Sequence, residues 1–120
     1  MVNDFFALLD SIASSSVYYG YLPSNKPVSA VVFTDSDVQR SMTTSGPASF
    51  IVTDLTIDVW GKSPTAVNAE AQTIINGLES QNITQGDTTF CNFIVSSTSS
   101  SFEPENDLFQ KTINLIAHHN

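Results

Sequence analysis

Ala48-Ser49-Phe50-Ile51-Val52-Thr53-Asp54-Leu55-Thr56-Ile57-Asp58-Val59-Trp60 is the stretch whose reading decides the fold. Successive strand residues point to opposite faces, so Ile51, Thr53, Leu55, Ile57 and Val59 form one side and Phe50, Val52, Asp54, Thr56, Asp58 and Trp60 the other. The first side reads as core. The second grows more polar along the strand.

Working outward, Gly61-Lys62 ends that strand and Ser63-Pro64 opens a helix, with a hydroxyl at the cap and proline at the first helical position. Ala66, Val67, Ala71, Ile74, Ile75 and Leu78 recur at three- and four-residue spacing, which predicts a stripe lying on the sheet. Ala66, Ala69 and Ala71 would let the helix lie close. Upstream, residues 26–34 are apolar and β-branched and read as a strand, whereas residues 35–47 show no period and read as a loop, with Thr43 to Pro47 a mobile loop or the tip of a long hairpin. Asn3 or Asp4 is read as the cap of an opening helix with Phe5, Phe6, Leu8, Leu9 and Ile12 on one face. Downstream, residues 81–87 read as a loop, residues 88–95 as a strand, and the serines and threonines of 96–101 as a low-complexity loop continued by an acidic turn to Asp107. Residues 108–117 alternate again and read as the last strand. The expected fold class is α+β: a mainly antiparallel β-sheet with a long helix and a short N-terminal helix packed on one face, in a single domain over residues 1–120.

The composition narrows function. Twelve Asp+Glu against four Lys+Arg give a net charge of -8, and only 13% of the 120 residues are charged. Lys26, Arg40, Lys62 and Lys111 are scattered, so there is no basic stripe to grip phosphates. A surface carried by Ser, Thr, Asn and Gln fits extensive protein contact, because interface cores are depleted in charge. The opening residues do not resemble a signal peptide, and no apolar run approaches the ~20 residues of a membrane span, so a soluble product released in the cytoplasm is expected.

No catalytic or cofactor constellation has a convincing spacing. The lone Cys91 is expected to be a buried structural thiol, since its neighbours supply no base. His118 and His119 are expected to belong to a frayed tail, and as strand neighbours they point apart, which is poor geometry for one metal. Asp54 and Asp58 share a face but would stand about 13 Å apart, too far for a glycosidase pair. They read either as solvated residues or as part of an electrostatic surface. Asn82-Ile83-Thr84 matches a glycosylation acceptor only by chance, absent a secretion signal. Trp60 is expected to pack on the following helix, with an exposed anchor for a partner as the alternative, while Tyr18, Tyr19 and Tyr21 divide evenly between core and interface. No enzyme, metal or cofactor is expected.

The order of elements resembles the tail terminator, or tail completion, proteins of long-tailed bacteriophages. The resemblance rests on the opening helix leading into Val17-Tyr18, the proline-led strand ending Val31-Val32-Phe33-Thr34, the strand ending Asp54-Leu55-Thr56-Ile57-Asp58-Val59-Trp60-Gly61, the Ala-rich helix over residues 63–78, and Phe102-Glu103-Pro104 before a terminal strand. It implies a structural virion protein that forms a ring, usually a hexamer, on the last ring of the tail tube. Such a ring ends tube polymerisation, offers the head-attachment surface to neck or head-completion proteins, and passes DNA through its channel without binding it specifically. The serine-rich stretch before Phe102 and the scarcity of charge depart from many relatives. The polar strand face, Asp54, Thr56 and Asp58, is the candidate channel lining. The loops at 35–47 and 96–107 are candidates for ring-to-ring contact. The implied partners are other copies of the chain, the tube protein and a neck protein, with no membrane. A neck or head-completion connector on the portal side, or a non-viral acidic binding module, are the competing readings.

Overall fold

The computed structural model describes residues 2–20, 29–41, 51–79, 82–104 and 108–119. In chain order these form α1 (Val2–Ile12), β1 (Ser16–Tyr19), β2 (Ala30–Ser41), β3 (Ile51–Gly61), α2 (Pro64–Leu78), β4 (Ile83–Gln85), β5 (Thr88–Glu103) and β6 (Leu108–His119). The strands make one six-stranded sheet in the order β1-β2-β3-β6-β5-β4.

The expected fold class is overturned. The chain is mostly β, a mixed half-barrel sheet with two short helices, not a mainly antiparallel sheet with a long helix. Two features cause this. First, β1 lies parallel to β2, Val17 beside Val31 and Tyr19 beside Phe33, so the sheet is mixed. Second, strands continue where loops were expected. β2 runs through Asp35 to Ser41 with a register shift between Asp35 and Gln39, and the rest of the predicted 35–47 loop lies outside the described residues. The serines of 96–101 are strand, Ser97 facing Asn114, Thr98 facing Ile113 and Ser101 facing Gln110. The predicted 81–87 loop contains β4, joined to β5 by a turn in which Gly86 has φ of 60°. A side chain is strained at that angle, which is why glycine serves there.

Both helices cover one face. Phe5, Leu8 and Leu9 of α1 and Val67, Ala71, Ile74 and Leu78 of α2 pack on Val31, Phe33, Leu55, Ile57, Val59, Phe90, Phe93, Ile113, Leu115 and Ala117. Phe5 centres this core, with its ring 5.1 Å from Phe33, 6.0 Å from Phe90 and 5.9 Å from Phe93. The first turn of α2 approaches the end of β3 closely. A Cβ on Gly61 would stand 2.8 Å from a methyl of Val67, so only glycine lets helix and strand meet there. Ser63 is the N-cap with Pro64 following, but its hydroxyl makes no capping bond, and the cap works through its carbonyl, which accepts from Val67 N–H at 3.0 Å.

Candidate functional site

The face of the sheet opposite the helices carries the candidate residues. Alternation on β3 puts Thr53, Leu55, Ile57 and Val59 inward, all at most 1% exposed, and turns Asp54, Thr56 and Asp58 outward. Asp54 is exposed; Thr56 and Asp58 are half-buried. The three therefore share the helix-free face, as their spacing predicts.

Register adds the neighbours. Asp54 faces Ile116, Thr56 faces Asn114 and Asp58 faces Thr112 on β6, while β5 brings Ile94, Ser97 and Ser99 to the same rows. Hydrogen bonds join these rows across the sheet. Thr56 Oγ1 donates to Asn114 Oδ1 at 3.1 Å, and Asn114 Nδ2 donates to Ser97 Oγ at 3.0 Å. Thr112 Oγ1 donates to Asp58 Oδ1 at 2.7 Å. Further along, Ser101 Oγ donates to Gln110 Oε1 at 3.0 Å. Asp54, Thr56, Ser96, Ser97, Asn114 and Ile116 line a shallow open depression. The result is a polar, side-chain-bonded surface that carries the carboxylates of Asp54 and Asp58. Lys111 does not join them, since it faces Val59 on the helix side. Asn114 and Thr112 were visible in the sequence as the polar half of the last alternating strand. Ser97 was not, because the run it belongs to has no apolar alternation.

Other singled-out residues depart from expectation. His118 and His119 are not a frayed tail, because β6 extends through them. His119 is 1% exposed, its Nε2 2.8 Å from Thr53 Oγ1 and its ring 5.9 Å from that of Phe90. Pairing with Ile51 and Phe90 holds this end of the chain in the sheet interior. Cys91 is half-buried, not buried; the ladder passes from Phe90 to Asn92, so it is the extra residue of a bulge. Trp60 pairs with Ala30 and Gln110, is half-buried, and lines a small pocket together with Ala66, Val67 and Glu70 of α2. Tyr18 is half-buried and Tyr19 exposed, with the Tyr19 hydroxyl donating to Asp35, while Tyr21 lies outside the described residues. Asn3 and Asp4 sit inside the first turn of α1 and do not precede it; Asp4 Oδ2 instead accepts from Thr88 Oγ1.

One polar residue escaped the sequence reading altogether. Glu70, on the buried side of α2 and 9% exposed, accepts from Ser14 N at 2.9 Å, Ser15 N at 3.1 Å and the Ser14 hydroxyl. It ties the turn after α1 to α2. A single glutamate in a polar helix gave no signal, because its partners are 55 and 56 residues away.

Among the described residues no group of three or more His, Cys, Asp or Glu side chains could hold a metal ion, and no helix is long and apolar enough to cross a membrane. No family model and no curated protein matches the sequence. Solved structures do match. One is a chain of the particle described as "Virion of native gene transfer agent (GTA) particle", with a TM-score of 0.69 at 15% identity, covering 94% of this chain and 84% of that one. At that identity the likeness is one of fold.

Proposed function

We propose that this chain is a virion structural protein that assembles as a ring of six on the end of a phage tail tube. There it stops tube growth, presents the attachment surface for the head, and surrounds the DNA path with its helix-free sheet face. The observation that carries the reading is the fold likeness, over 94% of the chain, to a chain of a gene transfer agent virion. The finer role, at the tube end, rests on the resemblance to tail terminators together with the chemistry of the candidate face.

That chemistry suits a passage. A channel for a polyanion that must slide benefits from neutral or acidic walls, since basic walls would hold phosphates and release counterions. Asp54 and Asp58 set among Thr56, Thr112, Asn114, Ser97 and Ser99 make such a wall. Their mutual hydrogen bonds leave few dangling donors to catch a phosphate.

The role is tested by polymerising purified tail-tube protein with and without the chain and measuring tube lengths by negative-stain microscopy. Capping predicts short tubes bearing density at one end. Tubes of unchanged length, with the chain bound only to portal-side proteins, would move the assignment to a neck connector.

A further inference from the structure

The sheet ends in two notches of complementary shape. At one edge β4 covers only Thr88, Thr89 and Phe90 of β5 and leaves residues 91–103 without a neighbouring strand among the described residues. At the other edge β1 covers only residues 30–33 of β2 and leaves 34–41 without a further neighbouring strand among the described residues. The two covers sit at opposite ends of the strands. Natural sheets blunt long open edges with charge, proline, shortness or bulges. β5 has register shifts at Phe90/Asn92 and Val95/Ser97, but no charged residue and no proline occurs from Thr88 to Phe102, and residues 96–102 are all exposed.

Strand direction points to the occupant. β2, β3, β6 and β5 alternate in direction, each antiparallel to the next, so β5 runs opposite to β2. A second copy related by simple rotation therefore presents its β2 antiparallel to β5. We propose that copies of this chain join in that way, the open end of β5 on one copy pairing with the open part of β2 on the next. The contact uses two different edges, so it is head-to-tail: repeating it builds a ring where the rotation closes, and not a two-fold dimer. The proposal rests on the ring reading above and adds the interface that builds it.

The notches fix the register. Thr98 stands level with Ile113, Ile57 and Phe33, and Phe102 with Phe109 and Gly61. Placed with no shift, the neighbour's β1 would occupy the space of residues 98–101. Sliding the neighbour by six rows carries its β1 just past Glu103 and lays its residues 34–41 along residues 98–103. The shift must be even, because an odd one would turn the neighbour's core face outward. Four rows leave the collision; eight leave only the last rows paired. Six rows amount to about 20 Å of slide, and four strands to about 19 Å of width, at the usual strand spacings. That ratio tilts the strands by about 45°, the upper end of the range of closed β-barrels.

The register places Ser100, which pairs with Lys111, opposite Gln39 of the next copy, which pairs with Thr53. The test is a chain carrying Ser100→Cys and Gln39→Cys with Cys91→Ser, oxidised mildly after its mass is measured by light scattering. Within one chain the two positions lie on opposite edges of the sheet, so any disulfide is between chains. The expected result is a ladder of multimers on denaturing gels that collapses on reduction, and at least ten-fold less cross-linking when Ser99→Cys, on the other face, replaces Ser100→Cys. A multimeric mass without the ladder, or equal ladders from both pairs, overturns this interface and leaves the ring reading standing. A monomer at every concentration, with no binding to tail tubes, overturns both.

Discussion

Replacing Glu70 by alanine removes three hydrogen bonds to a carboxylate at once, those from Ser14 N, Ser15 N and the Ser14 hydroxyl. Bonds to a charged group contribute about 1.5–3 kcal/mol each when broken singly. The three do not add, because the carboxylate's own desolvation is relieved when it goes, and because the serine groups are only partly buried and regain water. Alanine is also the better helix former, by a few tenths of a kcal/mol. The net loss is therefore about 2–3 kcal/mol. With a urea slope of about 1.5 kcal/mol/M, the midpoint should fall by roughly 1.5–2 M with the slope unchanged. Ser14→Ala, which removes only the hydroxyl donor, should cost about 1 kcal/mol. In the double mutant the two losses should fail to add by at least about 0.5 kcal/mol, since they share one bond. Urea titrations followed by circular dichroism supply all four corners of the cycle. If Glu70→Ala unfolds within about 0.5 kcal/mol of the parent, or the two changes add, the clamp between α1 and α2 is not what holds that turn.

Other outcomes follow from the packing and the outer face. Phe5→Ala opens a void among Phe33, Phe90 and Phe93 and should cost about 3–5 kcal/mol, read as a fall in thermal midpoint of about 15 °C or loss of the folded state. Gly86→Ala forces a side chain at φ of 60° into the Asp4 carboxylate and should cost at least about 1 kcal/mol, whereas Asp87→Ala in the same exposed turn should cost under about 0.5 kcal/mol. Thr53→Val should cost about 1 kcal/mol by leaving His119 Nε2 buried without its hydroxyl partner, measurable by the same titration. Asp54→Lys with Asp58→Lys changes the chain's net charge from -8 to about -4 on one face. It should leave the circular dichroism spectrum intact while lowering plaque counts at least ten-fold, and unchanged infectivity would remove the face from the DNA path.

The legible parts of this chain are those where one face is buried and the other wet. Thr53 to Trp60 alternates cleanly because the core under α2 buries one side of β3 while Asp54, Thr56 and Asp58 on the other stay exposed or half-buried, and the same physics exposed the polar half of β6. The helix start at Ser63-Pro64 was legible because its signal is local. The serine run of β5 was not legible, since residues 96–102 are exposed on both faces and no apolar period can appear; pairing with β6 makes it a strand. The parallel placement of β1 and the Glu70 clamp depend on partners distant in sequence. His119 was misjudged because position in the chain stood in for burial, while the ladder to Ile51 and Phe90 carries it into the core. The candidate face was half visible: Asp54, Thr56 and Asp58 could be read, whereas Ser97 required the register.

The central claim is a virion ring whose helix-free sheet face surrounds DNA, and a cryo-electron microscopic reconstruction of the tail end of the assembled particle tests it most directly. The account predicts this fold repeated around the tube axis, α1 and α2 on the outside and Asp54, Thr56 and Asp58 toward the lumen. A particle lacking the chain at the tube end, or a ring with the helices turned toward the DNA, would contradict it.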